Sequence, residues 1–280
     1  MSLATEISEA LQQAVVCLDE DVVSRIVLAR KTETNSSSLA VLDAILTNLD
    51  IARAQRLPMC QDTGMFLVFV DVGRECKISL GDIEAAINEG CKDAVENAYF
   101  RRSVVNEPLF ERRNTETNLP PVIWWNLVEG SALTIRILLK GFGSENTSSV
   151  RMLNPTASSD DVIASVKQIV ALAGAKPCPP IFVGVGLGGS MDRAAYLSKR
   201  ALLREVGVPH VDTRYAALEK QMLEAIQTLH IGSGGLGGDI TALNVAIEVE
   251  PTHIAGLPLA VSINCWADRK AVVYWEADHA

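Results

Sequence analysis

Six cysteines are spread through a chain of 280 residues, and their surroundings divide them into two groups. Cys17 and Cys91 lie within amphipathic helical patterns, where a thiol behaves as a small apolar side chain, and Cys76 lies in a polar turn. Cys60, Cys178 and Cys265 fall at the ends of apolar runs, beside residues that stiffen or free the backbone. Pro58 and Gly64 flank the first, Pro177 and Pro179 the second, and the third ends a strand pattern. Loops held by a rigid scaffold are where chemistry concentrates. Residue types alone leave open whether these three meet. If they meet, three thiolates satisfy three irons of a [4Fe–4S] cube and leave the fourth iron open. An open iron is a Lewis acid for a hydroxyl and a carboxylate, which a dehydration needs because hydroxide leaves poorly. A structural zinc site is the weaker fit, since it normally takes four close ligands, often in C-x-x-C pairs, and the chain has no such pair.

The elements that must position these residues are legible as periodic apolar runs. Ile7, Leu11, Val15 and Leu18 recur at helical spacing, as do Val22, Val23, Ile26 and Val27. After the polar break TETNSSS, Leu39, Leu42, Ile45, Leu46 and Leu49 mark another helix, with Ser36 to Ser38 offering an N-cap. Pro58 closes this region and opens the loop that carries Cys60. Phe66 to Val72 reads as a buried strand, followed by a helix from about Asp82, its cap, to Ala98. Val122–Leu127 and Leu133–Leu139 read as strands joined by a turn around Gly130, and Gly141–Asn146 as a loop. A helix from about Asp160 to Ala173 ends near Gly174. The second half reads as a strand Ile181–Val185, a turn Gly186–Gly189, a helix to about Glu205 and another over Thr213–Leu229. A glycine-rich stretch, Gly232–Gly238, then leads to strands near Thr241–Val249, Leu257–Asn264 and Ala271–Trp275. Helix pairs with non-alternating strands predict an α+β fold: irregular α/β layers, a helical N-terminal region and then mixed sheets with flanking helices. A single domain over 1–280 is expected, divisible into lobes at about 1–175 and 176–280.

Bulk properties narrow the function further. Apolar residues make up 48% and charged residues 21%, the balance of a soluble globular protein, and no apolar run approaches a bilayer span. The N-terminus MSLATEISEALQQ carries acids where a signal peptide needs basic and apolar segments, so a cytoplasmic protein is expected. In such a compartment six cysteines do not predict a disulfide scaffold. The net charge of −9 and the lack of a Lys/Arg cluster argue against nucleic acid as a partner. A small anion remains a suitable ligand, because a few arginines or a helix N-terminus can bind it against the global sign.

Five blocks carry a family resemblance: CQDTG at Cys60–Gly64, KGFGSEN at Lys140–Asn146, CPPIFVGVGLGG at Cys178–Gly189, GGLGGDITAL at Gly234–Leu243 and PTHIAGLPLAVSINC at Pro251–Cys265. In content and order they resemble the α-subunit of class I, iron–sulfur fumarate hydratases and the related L-tartrate dehydratases, over nearly the whole chain. The resemblance implies that Cys60, Cys178 and Cys265 ligate an oxygen-labile [4Fe–4S] cluster. It also implies that Gln61, Asp62, Arg101, Gly143 and His253 line a dicarboxylate pocket, with Asp62 and His253 as catalytic groups. Asp62 follows a ligand by two residues, a placement that suits proton transfer or orientation of the leaving hydroxyl; its plainer alternative is an Asx turn before Gly64. Arg101 can grip a carboxylate with two prongs, and Arg102 beside it competes for that role. His210, His230 and His279 have no counterpart in the motifs. Two departures stand out: Phe142 sits where the family usually has the middle of three glycines, and Arg113–Asn118 lacks an expected glycine.

Single-chain relatives of this kind continue into a C-terminal domain that supplies further Arg, Lys and Thr groups, whereas this sequence stops at Ala280. The expectation is therefore an α-subunit completed by a separate β-subunit, as α2β2. Hydration of fumarate to L-malate is expected over dehydration of L(+)-tartrate, because the 143–146 and 252–256 segments resemble the fumarase pattern. A rival is an NAD-dependent dehydrogenase: Gly184, Gly186 and Gly189 fit G-x-G-x-x-G, but without a legible βαβ context. On the hydro-lyase reading the same glycines let the backbone approach the cluster, with the helix N-terminus facing an anion. A non-catalytic scaffold subunit without metal is the third reading.

Overall fold

The structure, a computed structural model, describes residues 1–275. Its elements group into two units, each built from separate stretches of chain. The first takes Met1–Asp19, Asn48–Gly141 and the chain from Arg269 onward, and the second takes Glu20–Thr47 and Phe142–Asp268. Both combine a four-stranded mixed sheet with helices, so the fold class is α+β, as the sequence predicts.

In the first unit, β1 (Met65–Gly73), β2 (Val122–Val128), β3 (Leu133–Lys140) and β8 (Lys270–Trp275) lie in the order β2-β1-β3-β8. β1 is parallel to β2 and antiparallel to β3, which is antiparallel to β8. Alternate residues of β1, Phe66, Val68, Val70 and Val72, face one core with Ile135 and Ile137 of β3. Two helices cover that face: α1 (Leu3–Val16) through Ile7, Leu11 and Val15, and α4 (Leu80–Asn97) through Ile83, Ile87 and Cys91. Gly90 allows the two to touch, since a Cβ there would lie 2.6 Å from the Ala4 carbonyl oxygen. The helix starts before the expected Asp82: Ser79 is the cap, its hydroxyl accepting from the Asp82 N–H at 3.1 Å. The turn at Gly130 does join β2 to β3, yet these strands are not neighbours, because β1 inserts between them.

The second unit has α2 (Glu20–Thr32), α3 (Ser36–Gln55) as far as Thr47, and a sheet in the order β4-β7-β5-β6. These strands are β4 (Ser149–Leu153), β5 (Ile181–Gly189), β6 (Ala242–Thr252) and β7 (Leu257–Asn264). One face packs on α6 (Ser159–Ala173) and α8 (Thr213–Gln227), through Val166, Ile169, Met222 and Ile226 against Val183, Val185 and Ile263. The cap of α3 is Asn35, whose side chain accepts from the Ser37 and Ser38 amides, rather than a serine.

Two expectations about the glycine segment are corrected. Gly186–Gly189 is not a turn but the end of β5, paired with β6 as far as Thr252. β5 and β6 are parallel, so the strand–helix–strand crossover that seemed missing exists, through α7 (Met191–Ala201) and α8. The glycines serve the opposite sheet face, where α7 folds back along β5. A Cβ at Gly184 would lie 2.1 Å from the Ser198 carbonyl oxygen, and one at Gly186 2.1 Å from that of Ala194. Helix–strand packing consumes this motif, and α7 ends short of Glu205.

Candidate active site

In the first unit one sheet end collects the chemistry. β1 begins there, β3 ends there opposite it (Met65 beside Lys140), and β8 starts there (Lys270 beside Leu138). The Cys60–Gly64 loop, Gly141 and Arg269 are thereby neighbours by topology. The Asp62 carboxylate makes the Asx turn that its position suggested, Oδ1 accepting from the Gly64 N–H at 3.0 Å. Its Oδ2 lies beside Gly141, 3.2 Å from where a Cβ would stand. Gly64 adopts φ +90°, and a Cβ there would press on the Leu139 carbonyl carbon at 2.7 Å, so the loop is held flat on β3 by having no side chain.

The segment after α4 is tied to this loop. The buried Thr63 hydroxyl accepts from the Arg101 N–H at 3.0 Å, and the buried Asn118 side chain accepts from Ser103 and Val104 and donates to the Arg101 carbonyl. Arg102 turns away to pair with Glu116 at 2.9 Å, whereas Arg101 is exposed with no ion pair among the described residues. Geometry thus separates the two arginines. Where a glycine was expected, Glu116 and Asn118 adopt left-handed φ values of 63° and 57°, and Asn118 is held there by its three bonds.

In the second unit the register of β5 with β7 brings two cysteines to one end. Phe182 pairs with Asn264 in antiparallel fashion, so Cys178, ahead of β5, and Cys265, directly after β7, lie at the same end of the sheet. Cys178 is exposed at φ +55°, and Cys60 and Cys265 are partly exposed. Gly143 belongs to the short α5 (Phe142–Glu145) at this end, with the Lys176 carbonyl 3.5 Å from its Cβ position. Phe142 leaves 48% of its surface exposed, so the bulk that replaces a glycine points outward. The glycine-rich loop also lies here, Gly234 donating to the Pro179 carbonyl at 2.7 Å.

Two residues hold that loop, Glu33, which the sequence reading did not single out, and Ser38, which it read only as a helix cap. Ser38 donates to the Gly237 carbonyl at 2.5 Å and accepts from the Ser233 N–H at 2.8 Å. Glu33, only 6% exposed, accepts from the amides of Thr34, Asn35, Asp239 and Ile240. Burial pushes its carboxyl upward, but these N–H groups outweigh that and hold it below the usual glutamate value. The stabilisation is therefore complete above the ordinary carboxylate range and fades as pH falls through the depressed value. Glu33→Gln should cost about 2–4 kcal/mol at pH 7, and the deficit should shrink in urea melts near pH 3. An equal deficit at both pH values would mean that charge is not what holds the loop.

His253 does not join the cysteines of its own unit. It follows β6, at the end where Gly189 pairs with Thr252, and β5 spans nine residues between that end and the Cys178 end. At ~3.3 Å per residue the separation is roughly 25–30 Å. Exposed in its turn, it accepts the Ala255 N–H on Nδ1 at 3.1 Å. Of the remaining histidines, His210 packs edge-on against Tyr215, His230 faces Asp239 at 3.9 Å, and His279 lies outside the described residues.

The other cysteines are structural. Cys91 lies in the core, where burial pushes its thiol up to about 12, and Cys17 and Cys76 pack against the same cluster. Among the described residues no group of three or more His, Cys, Asp and Glu is gathered around a single point as one metal ion requires. A cube differs, because each thiolate binds its own iron. Cys60 in the first unit, and Cys178 and Cys265 at one sheet end of the second, lie outside disulfides with some exposure, so each has the chemistry of a cluster thiolate.

The model of the fumarate hydratase (Fumerase) family matches residues 4–274. The chain belongs to this family. It is a hydro-lyase. Among curated relatives, it is 42% identical over 278 residues to a protein of Methanocaldococcus jannaschii provisionally named L(+)-tartrate dehydratase subunit alpha, covering 97% of both chains. It is 29% identical over 263 residues to the L(+)-tartrate dehydratase subunit alpha of Escherichia coli, covering 93% of this chain and 86% of the relative. The same figures hold for that subunit in Shigella boydii. Neither the dehydrogenase nor the scaffold reading is supported. No helix among the described residues is long and apolar enough to cross a membrane.

Proposed function

We infer that this chain is the iron–sulfur α-subunit of a cytoplasmic hydro-lyase that interconverts L-malate and fumarate, completed by a separate β-subunit, with α2β2 as the assembly. The observation that supports the reading is the pairing of β5 with β7, which brings the loops that carry Cys178 and Cys265 to one sheet end. Cys60, Cys178 and Cys265 would hold a [4Fe–4S] cluster, which supplies an open iron as Lewis acid toward the substrate hydroxyl and carboxylate. Asp62, fixed by the Gly64 amide, exchanges a proton with the substrate through its other oxygen, at Gly141. Gln61 hydrogen-bonds the substrate, and the exposed Arg101 pairs with a carboxylate. Gly143 leaves the cysteine end of the second sheet open to substrate. His253 of the same copy is too far from Cys178 and Cys265, so its catalytic role requires a second copy of the chain. That requirement favours an assembly holding two α-subunits. Reduced thiols and an oxygen-labile cluster suit a cytoplasmic setting.

A second reading, dehydration of L(+)-tartrate, is favoured by the names of the relatives. Both substrates are four-carbon dicarboxylates with a hydroxyl next to a carboxylate-bearing carbon. Anaerobic co-production with the β-subunit, followed by assays on malate, fumarate and L(+)-tartrate, separates them. The expected result is turnover of malate and fumarate with tartrate left intact. Turnover of tartrate alone would replace the first reading with the second, and an iron-loaded complex inert to all three would overturn both.

A further inference from the structure

Three cations are buried at the site end of the first sheet: Lys140 and Arg269 are each 1% exposed and Lys270 9%. Arginine and lysine are almost never buried unless paired, and a buried unpaired donor is costly. Arg269 is the exception. Its Nε and Nη1 are buried without a hydrogen-bond partner among the described residues, while its backbone carbonyl is fixed by the Leu139 N–H at 3.1 Å. Its Nη2 lies 3.9 Å from the Cβ position of Gly141, and Asp62 Oδ2 lies 3.2 Å from the same point. Guanidinium and carboxylate thus both approach Gly141 at the mouth of β3. Gly141 has no need of a left-handed backbone; a side chain there would crowd the Asp62 carboxylate.

We propose that Arg269 is a substrate-binding residue, whose planar donor edge takes one carboxylate of a dicarboxylate over Gly141, next to Asp62. A guanidinium suits this task because it offers two parallel N–H groups to two carboxylate oxygens and stays charged when buried. The proposal rests on the hydro-lyase reading for its ligand class and adds a second arginine to Arg101, one for each end of a diacid.

The test uses the anaerobically assembled enzyme and the unreactive diacid succinate, with binding read by calorimetry and iron content measured alongside. Arg269→Gln should weaken succinate binding about 10- to 100-fold and raise the KM for malate, with Arg269→Lys recovering part of both. Gly141→Ala keeps the arginine but sets a methyl between it and Asp62, and it should weaken succinate while retaining iron. If Arg269→Gln fails to fold, Gly141→Ala and Arg269→Lys carry the test. Unchanged succinate affinity in the folded variants, or no succinate binding by the parent, overturns the proposal. Loss of succinate binding in an enzyme that turns over none of the C4 acids would sink the proposed reaction and leave the anion subsite standing.

Discussion

Serine in place of Cys178 is expected to strip iron and sulfide from the assembled enzyme and to lower turnover at least about 10³-fold. The size follows from Lewis-acid help worth several kcal/mol at ~1.4 kcal/mol per tenfold. The fold should survive, because Cys178 is exposed and lies outside both cores. Cys265→Ser and Cys60→Ser should behave alike. Cys91→Ser should do the reverse: it sets a hydroxyl among Ile7, Ile83 and Ile87, costing about 1–3 kcal/mol of stability, and keeps iron in every folded molecule. Iron and sulfide assays with urea melts on both variants check the contrast. A Cys178→Ser enzyme that retained iron and activity would remove the residue from the ligand set.

Why these cysteines could be singled out in the sequence, but not brought together, is a matter of register. Proline and glycine around Cys60 and Cys178 mark loops locally. That Cys178 and Cys265 flank one sheet end depends on β7 running back along β5, a pairing of residues about eighty positions apart that no local pattern carries. The same physics separates His253 from Cys265. They share one sequence block, yet the eight residues of β7 lie between them, and an extended strand of that length covers roughly 26 Å. Proximity in a motif is thus no guide to proximity in space when a strand intervenes. Glu33 and Ser38 were hidden for a further reason. In a polar break Glu33 reads as an ordinary loop residue and Ser38 only as a helix cap, and their partners lie about two hundred residues on. Arg269 and Lys140 did carry a weak signal, a cation at the border of an apolar run, but only burial distinguishes that from a solvated strand end. The core was easier: the continuous apolar run Phe66–Val72 matches a strand buried on both faces, and the helical spacing of Ile7, Leu11 and Val15 matches a helix buried on one, because burial imposes patterns that neighbours in sequence display.

The glycine segment shows how one pattern serves two physical purposes, and a substitution tells them apart. Gly186→Ala should destabilise the fold by about 3 kcal/mol, at the upper end of overpacking costs. A methyl at this site would stand 2.1 Å from the Ala194 oxygen, 2.7 Å from the Ser198 nitrogen and 2.9 Å from the Leu197 Cβ. Two of these are backbone atoms of α7 that no rotamer change can move, so the helix would have to lift from β5 along its length. The matched control is Gly81→Ala in the first turn of α4, where the nearest atom to the new methyl is 3.8 Å away. Here the helix gains propensity, and stability should rise by about 0.5–1 kcal/mol. Urea melts at equal concentration read both. A glycine loop built for a dinucleotide would predict the opposite at Gly186, a sound fold with impaired nucleotide binding, because there the missing side chain makes room for a ligand rather than for a helix. Equal stability of Gly186→Ala and the parent would mean that α7 does not seat on β5 through this groove.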